Sequence, residues 1–229
     1  MVQWYSAFIS LFFPRCCIVC NEALAEEEEY ICTRCNIKMP RTNYHRREGN
    51  TVERLFWGKI PIERATAFFF YRKGSDYRQI LHALKYRGEK KLGETMGRLM
   101  ASELQSSGFF EGIDLILPVP LHAKKQKLRG YNQSEWIAKG VAAVTKLPLE
   151  PQLLRRVKNT ETQTRKSVVA RWENVDGSFE LLQPEILRGK HVLLIDDVLT
   201  TGSTTTACAE AMLKAEGIRI SVLALAMAE

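Results

Sequence analysis

The chain has 229 residues, 45% of them hydrophobic, and a formal net charge of +7 from 33 Lys and Arg against 26 Asp and Glu. That length suits one α/β domain plus a small appendage, and the composition is that of a soluble globular protein, which excludes a disordered or fibrous chain. The basic excess is local: Lys124, Lys125, Lys127 and Arg129 have no acid among them, and Arg155, Arg156, Lys158, Arg165, Lys166 and Arg171 have only Glu161 between them. Outside these two segments the chain is slightly acidic, so they read as places for an anionic ligand.

The first thirteen residues, MVQWYSAFISLFF, lack a basic leader and are too short to span a bilayer. Trp4, Phe8, Leu11 and Phe12 share one helical face, which predicts a helix docked on its own domain rather than membrane insertion. With no export signal, the expected location is cytoplasmic. Pro14 stops this helix. Cys17-x2-Cys20 and Cys32-x2-Cys35 follow, eleven residues apart. Two such knuckles predict a closed, structural Zn²⁺ site on Cys17, Cys20, Cys32 and Cys35. Two disulfides are the alternative, but a cytoplasmic chain keeps its thiols reduced. Cys16 adjoins the first knuckle and is either a spare thiol or a competing ligand.

Residues 40 to 61 are polar and basic, punctuated by Pro40, Gly49, Gly58 and Pro61. They read as a linker with a short apolar piece at Leu55 to Trp57. The expected division is therefore 1–60 (helix, zinc module and linker) and 61–229. Arg64 to Tyr71 is aromatic-rich and predicts a strand. Asp76 to Arg87 carries Tyr77, Ile80, Leu81 and Leu84 at helical spacing, and Gly88 ends that helix. A second helix covers about Glu89 to Ser106. Ile113 to Leu117 is a buried strand, followed by Pro118-Val119-Pro120, a basic connection to Gly130, and a helix over Asn132 to Val144. In open parallel sheets such connections form the ligand crevice. Arg155 to Asn174 reads as a long mobile loop, Gly177 to Leu182 as a strand, and Ile218 to Met227 as the last buried strand.

The densest signal is Val192 to Thr204, VLLIDDVLTTGST. Val192 to Ile195 predict a strand buried on both faces. Asp196 and Asp197 stand where it should leave the sheet. Thr200, Thr201, Gly202, Ser203 and Thr204 follow, then a helix over Thr205 to Gly217. Free backbone N–H groups, a glycine and four hydroxyls at a helix N-terminus make a phosphate cradle. The acids suit hydroxyls attached to that phosphate, as in a ribose 5-phosphate. A Walker A loop is excluded by the missing Gly-Lys-Ser/Thr. A plain N-cap needs one hydroxyl and explains neither the other three nor the acids.

This stretch resembles the phosphoribosyl-pyrophosphate (PRPP) motif of type I phosphoribosyltransferases. With the four cysteines, Leu84-Lys85-Tyr86-Arg87-Gly88, Pro118-Val119-Pro120-Leu121-His122, Arg129-Gly130-Tyr131-Asn132-Gln133, Thr160-x2-Gln163, Arg171-x2-Asn174 and Phe179, it is similar to the ComF family over nearly the whole chain. Tyr131 departs from the usual Phe. The resemblance implies an α/β fold: a type I phosphoribosyltransferase-like parallel sheet flanked by helices, with a small N-terminal four-cysteine zinc module. It implies that Asp196 and Asp197 hold ribose hydroxyls and that Thr200, Thr201, Gly202, Ser203 and Thr204 hold the 5-phosphate. It further implies that the loop with Lys124, Lys125, Lys127, Arg129 and Gly130 meets the pyrophosphate, with Mg²⁺ bridging substrate oxygens. The family implies handling of incoming single-stranded DNA during natural transformation, with a helicase-like partner. Three function classes stay open: a transferase acting on PRPP with an unknown acceptor, a PRPP-binding DNA-uptake factor without turnover, and a zinc-anchored nucleic-acid module with a vestigial nucleotide site.

Overall fold

Val192, Leu193, Leu194 and Ile195 are all fully buried, and burial on both faces sets their strand inside a parallel sheet. The computed structural model describes residues 14–157 and 178–229. The N-terminal helix expected around Trp4 to Phe12, the loop residues with Thr160, Gln163, Arg171 and Asn174, and Gly177 lie outside the described residues.

Among the described residues two short α-helices come first, α1 (Thr33–Lys38) and α2 (Thr51–Arg54). Strand β1 (Ala65–Tyr71) leads to α3 (Arg78–Tyr86) and α4 (Lys90–Gln105). Strand β2 (Leu115–Pro118) leads to α5 (Ala123–Arg129) and α6 (Gln133–Thr145). A two-stranded antiparallel unit follows, β3 (Leu154–Arg156) with β4 (Phe179–Leu181). Strand β5 (His191–Leu199), α7 (Ser203–Met212) and β6 (Arg219–Ala228) complete the chain. The main sheet has the order β1-β6-β5-β2, and each pairing is parallel. A parallel bridge from Ile116 to Leu149 extends the β2 edge.

Alternation along β5 divides the core. Leu193 and Ile195 pack with Ile80, Leu84, Met96 and Ile137 of α3, α4 and α6. Val192 and Leu194 pack on the other face with Ala207, Cys208 and Met212 of α7. Helices α4 and α6 touch through glycines. A Cβ on Gly97 would lie 2.1 Å from the Ile137 carbonyl oxygen, and one on Gly140 would lie 2.1 Å from the Glu94 carbonyl oxygen. Only a missing side chain lets the two backbones approach this closely.

Several expectations are refined. The basic connection after β2 is not an open loop: Ala123–Arg129 forms about two helical turns. His122 caps it by accepting the Lys124 N–H, and Gly130 closes it at φ 77°. Strand β5 does not end at the acids. It stays paired with β6 as far as Leu199, opposite Met227. Residues 40 to 61 carry secondary structure of their own. Asn50 accepts from Val52 and Glu53 N–H, and Glu53 answers at the Asn50 N–H, a capping box. Asn50 Nδ2 also donates to Ala65 of β1 at 2.9 Å, and Phe56 is fully buried against the sheet. The Asn-x-x-Glu pattern was the available signal for this helix.

Candidate functional site

The four knuckle cysteines converge. The Sγ atoms of Cys17, Cys20, Cys32 and Cys35 all lie within 4.8 Å of one another, a set that could hold one metal ion. Cys16 is not among them; it is exposed, with its thiol 3.4 Å from the Pro14 carbonyl. A backbone hydrogen bond at Glu22 brings Cys20 down to about 7, whereas burial pushes Cys35 up. This cluster is fastened to the α/β layer. Cys17, Cys32 and Cys35 belong to the same core as α3 and α4, Tyr77 at the start of α3 donates to the Cys35 carbonyl at 2.8 Å, and Arg41 pairs with Glu103 of α4 at 2.9 Å.

At the carboxyl end of β5 the two acids part. Because β5 is still extended there, successive side chains point to opposite faces. Asp196 is buried toward α6 and α7, where it accepts from Ser134 at 3.3 Å, Thr205 at 3.4 Å and the Asp197 N–H at 2.8 Å. Burial, then the neighbouring Asp197 charge, raise its carboxyl to about 7. Asp197 faces α3, where Lys85 Nζ lies 3.1 Å from Oδ2. The Tyr131 hydroxyl donates to the Leu84 carbonyl and so fixes the end of α3 that carries Lys85.

The turn after β5 is as small and hydroxyl-rich as its sequence. Gly202, at φ 73°, is the N-cap residue of α7 and lies against Phe56: a Cβ there would be 3.2 Å from the Phe56 ring. Thr201 and Ser203 hydroxyls meet at 2.7 Å, while Thr200 is exposed. Gly202 offers no side chain to cap α7, and the Ser203 N–H makes only a long 3.5 Å bond to the Thr201 hydroxyl.

Cations surround this end of the sheet. Lys125 is pushed down by burial and by Arg156, Arg129 and Lys85, which places four basic groups within electrostatic reach of one another. Arg129 donates to Gln133 at 3.0 Å. Burial lowers the Arg156 guanidinium at the edge of the β3–β4 unit, against the opposing pull of nearby Asp196. Lys124 and Lys127 are exposed on the outside of α5, as is Gly130. Buried Gln133 Nε2 and Thr206 Oγ1 have no hydrogen-bond partner. Sequence reading singled out neither Lys85 nor Ser134 nor Thr205 as site residues. Lys85 appeared only inside a family motif, and a single lysine on a helix carries no periodic signal. A cleft of about 660 Å³ opens beside Lys85, lined also by Arg78, His82, Tyr86, Arg87 and Thr200.

A parallel sheet flanked by helices, with adjacent acids and a hydroxyl turn at a helix N-terminus, gives the chain a phosphoribosyltransferase-like fold. The phosphoribosyl transferase domain model matches residues 132–229, which contain α6, β5, α7 and β6. "DNA utilization protein YhgH" of Escherichia coli O157:H7 is 26% identical over 212 residues, 91% of this chain and 88% of that protein. "Competence protein F" of Haemophilus influenzae is 29% identical over 153 residues, 65% of this chain and 67% of that protein. The chain is similar to these competence and DNA-utilization proteins, in line with the resemblance that its motifs led one to expect. A solved adenine phosphoribosyltransferase from Leishmania tarentolae is a distant likeness: 13% identity, 79% of this chain, 89% of that one, TM-score 0.37. Among the described residues no helix is long and apolar enough to cross a membrane.

Proposed function

We propose that the chain binds PRPP and takes part in handling single-stranded DNA. The observation that carries the first half is the Lys85–Asp197 pair at the carboxyl end of the central strand, with Thr200 of the hydroxyl turn lining the same cleft as Lys85. Helix N-terminal N–H groups and hydroxyls receive the 5-phosphate. Asp197 is the acid that reaches outward, so it accepts from the ribose hydroxyls, with Lys85 paired to it at 3.1 Å. Asp196 lies behind it, holding Ser134 and Thr205 and thereby the starts of α6 and α7. The partnerless Gln133 Nε2, on the residue before Ser134, is a buried donor that fits a ligand rich in oxygen acceptors. Lys125, Arg129 and Arg156 suit the pyrophosphate, with Lys124 and Lys127 as outer attraction. Mg²⁺ would arrive on the PRPP oxygens and supply charge neutralisation.

Cys17, Cys20, Cys32 and Cys35 would hold Zn²⁺. Thiolates 2.3 Å from zinc in a tetrahedron stand about 3.8 Å apart, and the Cys20 and Cys32 sulfurs are 3.7 Å apart. Four ligands leave no open position, so the ion would cross-link the N-terminal segment rather than react. The DNA half of the reading rests on the basic helix α5 and on relatives whose names refer to competence and DNA utilization. A transferase reaction is the second reading: Lys125 and Arg129 could stabilise a departing pyrophosphate.

Titration calorimetry with PRPP and Mg²⁺ tests the core of the proposal. Wild-type protein should bind. Asp197→Asn should weaken binding ten- to hundredfold, because a charge-assisted hydrogen bond contributes about 1.5–3 kcal/mol. Free pyrophosphate has no ribose and should keep its affinity in this variant. No PRPP binding by the wild type, or an equal loss for pyrophosphate, would overturn the ribose assignment. Release of pyrophosphate on adding nucleobases or amines would establish turnover.

A further inference from the structure

Helix α3 presents a surface that neither the phosphate turn nor the cysteine cluster uses. Ile80, Leu81, Ala83 and Leu84 are buried, which leaves Arg78, His82 and Tyr86 outward, with Arg87 just past the end. Tyr86 is 70% exposed. Its ring is nonetheless held in place. His82, one turn back, lies with its ring centroid 5.0 Å away at 42°, and the Arg129 guanidinium is 5.9 Å from the Tyr86 centroid. Arg78, His82, Tyr86 and Arg87 belong to the 660 Å³ cleft, whose lining includes three cations, Arg78, Lys85 and Arg87, and no acid. The nearby Glu229 is already engaged with Arg72 at 2.5 Å. The volume is in the range of small-ligand sites.

Lys85 is paired with Asp197, but Arg78 and Arg87 face no acid among the described residues, and a wet aromatic pair beside them suits a ligand with both a π-face and a negative charge. We propose that this cleft binds a nucleotide unit of single-stranded nucleic acid, with the base stacked on Tyr86 and His82 and the phosphate held by Arg78 and Arg87. Thr200 and Lys85 form the wall shared with the phosphate turn, so a strand lying in the cleft passes beside the ribose-phosphate site. The inference rests on the single-strand reading above and gives that reading a location. A free mononucleotide carries the same chemistry, and the experiment separates the two sources.

The experiment is fluorescence anisotropy with labelled oligothymidylate, and calorimetry with dTMP, on the full chain. Tyr86→Ala should weaken oligothymidylate binding roughly five- to hundredfold, the range of one base-aromatic stack. Tyr86→Phe should keep nearly full affinity. The slope of log K on log salt should not change in Tyr86→Ala, since no charge is lost. Arg78→Gln combined with Arg87→Gln should flatten it by about 0.7, the value for one phosphate contact. If the wild type binds the oligonucleotide and Tyr86→Ala binds equally well, the cleft assignment is wrong and the single-strand reading stands. If the wild type ignores the oligonucleotide but binds dTMP in a Tyr86-dependent way, the strand reading falls and the cleft holds as a mononucleotide site. Binding of neither overturns both.

Discussion

Replacing Asp196 by Asn should make the protein less sensitive to rising pH. The Asp196 carboxyl is fully enclosed and raised to about 7 by burial and by Asp197. In the unfolded chain it would ionise near pH 3.9. The native state therefore holds a proton that the unfolded state has released. Its contribution to stability is complete below about pH 4 and is lost as pH climbs toward 7. Between pH 5 and 7 the two-unit span corresponds to at most about 2.7 kcal/mol, at 1.36 kcal/mol per unit. Asparagine keeps Oδ1 as acceptor for the Asp197 N–H and Ser134, and its amide can donate to the Thr205 hydroxyl, which accepts as well as donates. It carries no charge to bury. Urea unfolding at pH 5, 6, 7 and 8 should show the wild type losing about 1–3 kcal/mol relative to Asp196→Asn across that window. His191 titrates oppositely, since burial and Arg219 lower its pKa, but it is common to both proteins and cancels in the comparison. Parallel pH profiles for the two proteins would refute the buried, raised carboxyl. They would return Asp196 to the outward-facing role.

Elemental analysis should find one Zn²⁺ per chain, and Cys32→Ser should release it and lower the melting temperature, because a closed four-thiolate site loses most of its affinity with one ligand. A metal-free protein with an unchanged melting temperature would refute the site. Gly140→Ala should destabilise by about 3 kcal/mol or more: the new Cβ meets backbone at 2.1 Å, and overpacking outweighs the roughly 1 kcal/mol of helix propensity that alanine adds. Denaturant midpoints measure this, and no loss would mean that α4 and α6 separate freely. Neutralising Lys124, Lys125 and Lys127 together should flatten the salt dependence of single-stranded DNA binding by about 2, at about 0.7 per contact. An unchanged slope would move the DNA surface away from α5.

Much of the molecule was legible locally. Four apolar residues without alternation announced a strand buried on both sides, and Val192 to Ile195 are fully buried. The two Cys-x-x-Cys knuckles announced a shared point, and their sulfurs meet. Helical periodicity gave α3 and α4 to within a few residues at each end. These signals are read from neighbours along the chain, and hydrophobic period, turn chemistry and ligand spacing are set there. What the sequence could not decide is how the acids face. That depends on where β5 stops, and β5 continues because β6 runs beside it to Met227, a pairing between distant segments. The extra extended residues turn Asp196 inward, where burial raises its carboxyl, and leave Asp197 outward to meet Lys85. Lys85 reaches that acid because the strand order sets β1 and its helix α3 beside the last strand of the chain. No periodicity encodes a contact of that kind; it exists only once the sheet has assembled.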